Sequence, residues 1–228
     1  MISLMNKYKK SVFVATTTIF LVATLVGLGG YLGGGNAETY VVTIGDDIKV
    51  DSQQYQQMVN SKLEYYRQQG LPTEALEPQI KRMIVNDLVT DAIFSQAAKD
   101  YGISVSDFEV SVVVRSQPAF FTDGKFNPQA YYRLIWDNYR VKPDVYEERI
   151  RQSRMAEKFK QLMAGGAMVM PDEAKAAYLA ENKNLKDFEE KKAEFTAGLQ
   201  REKATELINY YLKRYLASNK VVEYKDNM

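Results

Sequence analysis

From Ser11 to Gly33 the chain carries no Asp, Glu, Lys or Arg, and Lys7, Lys9 and Lys10 stand immediately before this run. A helix needs about 20 apolar residues to cross the hydrocarbon core, so the segment is long enough to span it. The lysines hold their side in the cytoplasm and send the remainder of the chain across the membrane. The expected layout is a short cytoplasmic stretch at 1–10, a transmembrane helix at 11–33, a linker at 34–38 and a folded region at 39–228. A cleaved secretory signal is the alternative, with Gly35-Asn36-Ala37 as the small-x-small site. Apolar regions of such signals usually run about 7–15 residues, which favours retention, and cleavage near Ala37 stays open. The glycines at 29, 30, 33 and 34 have helix-pairing spacing, but at the end of the span they read as a flexible exit.

The three lysines before the span leave 27 basic against 29 acidic residues in the remainder, a net charge of −2. No basic field exists to attract nucleic acid, so that class of partner is excluded. Cysteine and histidine are both absent. This rules out a disulfide framework, a thiol nucleophile, Ser-His-Asp catalysis and the usual zinc sites. No cofactor or metal is expected, and the chain reads as a non-enzyme. A carboxylate-dependent enzyme would need a pocket holding two acids of shifted pKa. The 16 Tyr, 10 Phe and 9 Met are conspicuous by contrast. Most belong in a core, and a surplus at the surface would make an adaptable apolar binding face.

Tyr40 to Ile44 and Ile48 to Val50 alternate around Gly45-Asp46-Asp47, which predicts two short strands and a tight turn. Asp51 or Ser52 caps a helix that stops at Gly70-Leu71-Pro72. A second helix is expected from near Pro78 to Asp100, with Gly102 in the left-handed terminal position. Ser106 and Glu109 form a capping box for a third. Its β-branched Val110 and Val112–Val114 favour strand, yet the cap and the Ser116-Gln117-Pro118 stop favour helix. Residues 120–126 read as a loop with an Asp123-Gly124 turn. Helices are expected from Pro128, Pro143 and Pro171, and a long one from Asp187 to Ser218. Lys220 to Tyr224 is strand-like, and its natural partner is the strand near Tyr40.

The fold class is therefore mainly α, a multi-helix module. It carries a small β element built from the N-terminal strands and a C-terminal strand, plus one N-terminal transmembrane helix.

The order of these elements resembles the chaperone module of the SurA/PpiD-like periplasmic foldases. The resemblance rests on Ala97-Ala98-Lys99-Asp100-Tyr101-Gly102, Pro118-Ala119-Phe120-Phe121, Asp123-Gly124-Lys125-Phe126, Tyr131-Tyr132-Arg133-Leu134 and Tyr146-Glu147-Glu148-Arg149-Ile150-Arg151. The membrane anchor matches the PpiD-like branch. It implies a module at 39–228, with an N-terminal part at 39–184 and a long helix and strand at 185–228. In these families parvulin prolyl-isomerase domains usually interrupt the module. Here Ala177 to Asn182 runs almost directly into the last helix, so isomerase activity is not implied. The implied protein sits in the inner membrane with its folded region in the periplasm. There it acts as an ATP-independent chaperone for unfolded or newly exported polypeptides. The client-contact candidates are Phe120, Phe121, Phe126, Tyr131, Tyr132, Trp136 and Tyr139. The alternative is a non-catalytic accessory subunit of a secretion channel or envelope complex.

Overall fold

Strand β1 (Tyr40–Ile44) turns at Gly45, whose φ is +58°, into antiparallel β2 (Ile48–Asp51). The computed structural model describes residues 40–228; the expected span 11–33, the linker 34–38 and the cleavage site near Ala37 lie outside the described residues. Among the described residues no helix is long and apolar enough to cross a membrane. These residues form two compact units, one of 40–159 with 216–228 and one of 160–215.

In the larger unit Asp51 ends β2 and caps α1 (Ser52–Gln68), its Oδ1 accepting the Gln54 N–H at 2.7 Å. Helix α1 ends in a Schellman motif. Gly70 at φ +73° donates to Arg67 O at 3.0 Å and Leu71 donates to Tyr66 O at 3.1 Å. Helix α2 (Thr73–Asp100) begins five residues before the expected Pro78. The missing N–H of Pro78 deprives only the Glu74 carbonyl of an intrahelical donor, a small loss beside the burial of the apolar stripe. Ile80, Ile84, Leu88, Ile93, Phe94 and Ala97 of that stripe are buried. A second Schellman motif closes α2, with Gly102 donating to Lys99 O and Ile103 to Ala98 O.

The valine-rich segment is helical, α3 (Asp107–Arg115), with the full capping box between Ser106 and Glu109. The box fixes two donors that a strand would leave unmet, and Val110 and Val114, one turn apart, are buried. Residues 121–126 are more ordered than a loop. Phe121–Thr122 (β3) and Lys125–Phe126 (β4) form a two-residue hairpin, with Asp123 and Gly124 both at positive φ, +52° and +74°. Two positive φ angles define the turn whose twist matches paired strands. Asn127 then caps α4 (Pro128–Tyr139), accepting the Ala130 N–H at 3.1 Å. Helix α5 (Pro143–Gly166) comes next.

The late strand β5 (Val221–Glu223) pairs with β1, as expected, giving a three-stranded antiparallel sheet in the order β2-β1-β5. Tyr224 N–H donates to Val41 O at 2.9 Å, and Asn227 Nδ2 donates to Tyr40 O at 2.7 Å, extending the seam. Val41, Val42, Ile44, Tyr55, Val59 and Phe94 make the core between the sheet and its helices.

The smaller unit is built from α6 (Pro171–Asn182) and the greater part of α7 (Phe188–Ser218). Its core is Ala174, Tyr178 and Phe188, with Val169, Leu185 and Phe195 packed around them. Lys203 Nζ ties α7 to the start of α6 by donating to Glu173 Oε1 at 2.8 Å and to Met168 O at 2.9 Å. The mainly helical architecture with small sheets agrees with the sequence reading.

Candidate functional site

The larger unit holds a cleft of about 590 Å³ whose walls come from α1, α2, α5 and the end of α4. Amphipathic helices bury the centres of their apolar stripes and leave the flanks to line what remains between them. Met58 from α1 and Met83 from α2 are such flank residues, each 37% exposed, while Ile84 behind them is buried. Ile150 and Tyr146 of α5 and Tyr139 of α4 complete the apolar lining. Unbranched thioether side chains re-pack against ligands of different shape, which suits a surface of broad tolerance.

Polar groups brace one wall of this cleft. Gln57 accepts from Arg149 Nη1 at 3.1 Å and donates through Nε2 to the Tyr139 carbonyl. Gln53 Nε2 donates to Arg140 O at 3.3 Å. Arg140 ends α4 in the left-handed conformation, with φ at +52°. Burial lowers the Arg149 pKa, and the nearby Asp51 charge opposes that shift.

A second, smaller cavity of about 240 Å³ lies between α3, β4, α4 and α5. Val110, Val114, Phe126, Tyr131 and Tyr132 supply its apolar surface, and Arg115, Arg151, Asp107 and Glu147 its charge. Arg151 is held by Asp107 and Glu148, each at 2.7 Å. Tyr131 donates its hydroxyl to Glu147 Oε1 at 3.0 Å. Burial, then this carboxylate, pushes the phenol pKa well above its ordinary value. Aromatic contacts join the two cavities. The Tyr131 ring lies 6.4 Å from Tyr146 in a T-shaped arrangement, and Tyr146 lies 5.1 Å from Tyr139. Such aromatic pairs add about 0.5–1.5 kcal/mol to area burial.

The seven sequence-selected residues fall at different depths. Phe120 and Tyr131 are buried, each at 5% exposure, with rings 4.9 Å apart at 79°. They are the floor of the aromatic surface. Phe121 and Phe126 are half-buried and face each other across the hairpin, centroids 5.9 Å apart. Tyr132 and Trp136 are exposed at 58% and 54%. Tyr139 lines the cleft, while Phe126, Tyr131 and Tyr132 line the smaller cavity. Sequence reasoning missed Met58, Met83, Tyr146 and Ile150 as lining residues. A methionine where Leu or Ile would suit a sealed stripe is the signal that marks the first two.

Among the described residues no group of three or more acids could hold a metal ion.

The periplasmic chaperone PpiD of Escherichia coli K12 is 24% identical over 173 residues, which is 72% of this chain and 27% of that protein. The periplasmic chaperone PpiD of Haemophilus influenzae Rd is 23% identical over 177 residues, 75% of this chain and 28% of that protein. The chain thus matches about a quarter of the length of these curated relatives. No solved structure matches it. The SurA-like N-terminal domain matches residues 1–160, and with so much of its length covered the chain belongs to that family.

Proposed function

We propose that this protein is a membrane-tethered, ATP-independent periplasmic chaperone that holds unfolded or newly exported polypeptides without isomerising prolines. The observation that carries the proposal is the open cleft lined by Met58, Met83, Ile84, Tyr139, Tyr146 and Ile150. An unfolded segment entering it gains roughly 25 cal/mol for each Å² of apolar surface removed from water. The aromatic surface around Phe121, Phe126, Tyr132 and Trp136 adds contact area beside it. The membrane segment 11–33 would raise the effective concentration of the module where exported chains emerge. The relatives are named periplasmic chaperones, in keeping with this reading. A connection of only five residues between Asn182 and Phe188 supports the lack of isomerase activity, since an inserted domain needs far more chain.

The test is suppression of aggregation of a chemically denatured model protein by the full-length chain. Protection at stoichiometric ratios, with no acceleration of a proline-limited refolding reaction, is the expected result. No protection at any ratio up to a large excess would sink the chaperone reading.

One observation favours an accessory subunit of a secretion or envelope complex as a second reading. The small unit leaves Met168, Met170 and Tyr210 exposed at 66%, 62% and 61%. Cross-linking in cells separates the two, since many diverse adducts support the chaperone and one stoichiometric adduct supports the subunit.

A further inference from the structure

The charged residues of the large cleft do not balance. Among the described residues Lys62 and Arg149 line it against one acid, Asp87. Asp51 stands behind the wall, and its Oδ1 is already the acceptor of the Gln54 N–H at 2.7 Å when Arg149 Nη2 approaches it at 3.5 Å. That oxygen serves the helix cap first and the guanidinium second. Arg149 is only 17% exposed, yet among the described residues one hydrogen bond engages its five N–H donors, to Gln57 Oε1 at 3.1 Å. Arg149 is itself a lining residue, so part of its side chain forms the cleft surface. Burial lowers its pKa, and the Asp51 charge opposes that shift.

The dimensions say what meets it. The lining residues of α1 run from Gln54 to Lys62 and those of α5 from Tyr146 to Ser153. At 1.5 Å per residue each wall is about 10–12 Å long, the length of roughly three or four residues of extended chain. Arg149 lies midway along the α5 wall. It therefore faces the middle of a bound segment, where a side chain rather than a chain end is presented.

We infer that the cleft selects apolar polypeptide segments interrupted by an acidic side chain, and that Arg149 is the specificity-determining residue that receives the carboxylate. This rests on the chaperone reading and narrows its clients. A planar guanidinium with free donors takes a carboxylate in two parallel hydrogen bonds, stronger than those it makes to a neutral amide.

The experiment uses the full-length chain and acetylated, amidated peptides of Leu, Val and Ala with a central Glu, Gln or Lys. A fourth peptide has no acidic side chain and a free C-terminal carboxylate. Fluorescence anisotropy should show the Glu peptide binding about tenfold more tightly than the Gln peptide, and the Lys peptide more weakly than either. In Arg149→Leu the Glu and Gln peptides should bind alike, and Arg149→Lys should keep part of the difference. Raising the salt concentration should narrow the difference in the unmodified protein, a measurement that does not depend on the variants folding. Equal affinity for Glu and Gln peptides, a ratio that survives in Arg149→Leu, or a stronger preference for the free C-terminus would each overturn the inference alone. Absence of binding by all four would overturn the chaperone reading with it.

Discussion

One carboxylate oxygen of Asp51 serves both α1 and Arg149, capping the helix at 2.7 Å and meeting the guanidinium at 3.5 Å. Sheet, first helix and cleft wall are thereby tied at a single residue. Asp51→Ala should lose the cap, worth about 1 kcal/mol, and leave Arg149 without the acid beside it. Asp51→Ser keeps a capping oxygen and loses only the charge. Urea unfolding should therefore rank wild type above Asp51→Ser above Asp51→Ala, with the larger step between the last two, because partly exposed ion pairs contribute little.

Capture of clients should depend on the methionines at the cleft mouth. Met58→Glu combined with Met83→Glu places two charges on apolar walls at sites already open to water. Their cost to folding should stay within about 1 kcal/mol, as for most surface changes. Aggregation suppression should fall severalfold while the circular dichroism spectrum and urea midpoint are nearly unchanged. Full protection by the double variant would show that clients bind elsewhere.

Acid should weaken the attachment of α3 to α5. The Lys158 ammonium, 2.6 Å from Glu109 Oε1, and the Ser106 N–H lower the Glu109 pKa from 4.5 to about 2. A carboxyl group whose pKa is lower in the folded state contributes stability above its unfolded value and loses it as pH falls through the folded value. The contribution is thus present at neutral pH and lost between about pH 4.5 and 2. Glu109→Gln retains the capping box but not the charge. The gap between the two unfolding midpoints should close across that interval, and a constant gap would contradict the assignment.

Glu223 carries the opposite sign. Burial at the end of β5 raises its pKa, with Lys225 partly opposing. An acid with a raised folded-state pKa costs stability once the pH exceeds its unfolded value. Glu223→Gln should therefore raise the urea midpoint at pH 7 and leave it unchanged well below the ordinary carboxylate range.

Gly102 tests the backbone alone. A Cβ added there meets nothing within 4 Å, but the φ of +72° is strained for any L side chain. Gly102→Ala should cost about 1 kcal/mol of unfolding free energy, with no change in client capture. A neutral result would mean that the α2 terminus relaxes to another conformation.

What the sequence made legible was the punctuation. Asp51, Ser106 with Glu109, and Asn127 with Pro128 act through groups three residues away, so local spacing identifies them. Gly70 and Gly102 stop helices because only glycine enters the left-handed region freely. The pairing of β1 with β5 was legible because two short apolar strands needed edges covered. The Asp123-Gly124 hairpin was harder, since strands of two residues carry no alternation to detect. Pro78 misled as a helix start because tertiary burial of the α2 stripe outweighs one lost hydrogen bond. The cleft was least legible. It is made of stripe flanks from several helices, and exposure there depends on where neighbouring helices stop. For the same reason the sequence does not tell the buried aromatics Phe120 and Tyr131 from the exposed Tyr132 and Trp136.

Pairing β5 with β1 sets an order of events for a chain emerging from one end. Val42 faces Glu223, so the larger unit encloses in sequence the whole of the smaller one. Residues 160–215 have a core of their own, Ala174, Tyr178 and Phe188, drawn from neighbouring stretches of chain. The sheet must wait for its last strand, and closing so long a loop is slow. Until then one edge of β1 is bare, and the protein passes through the condition of those it is proposed to protect.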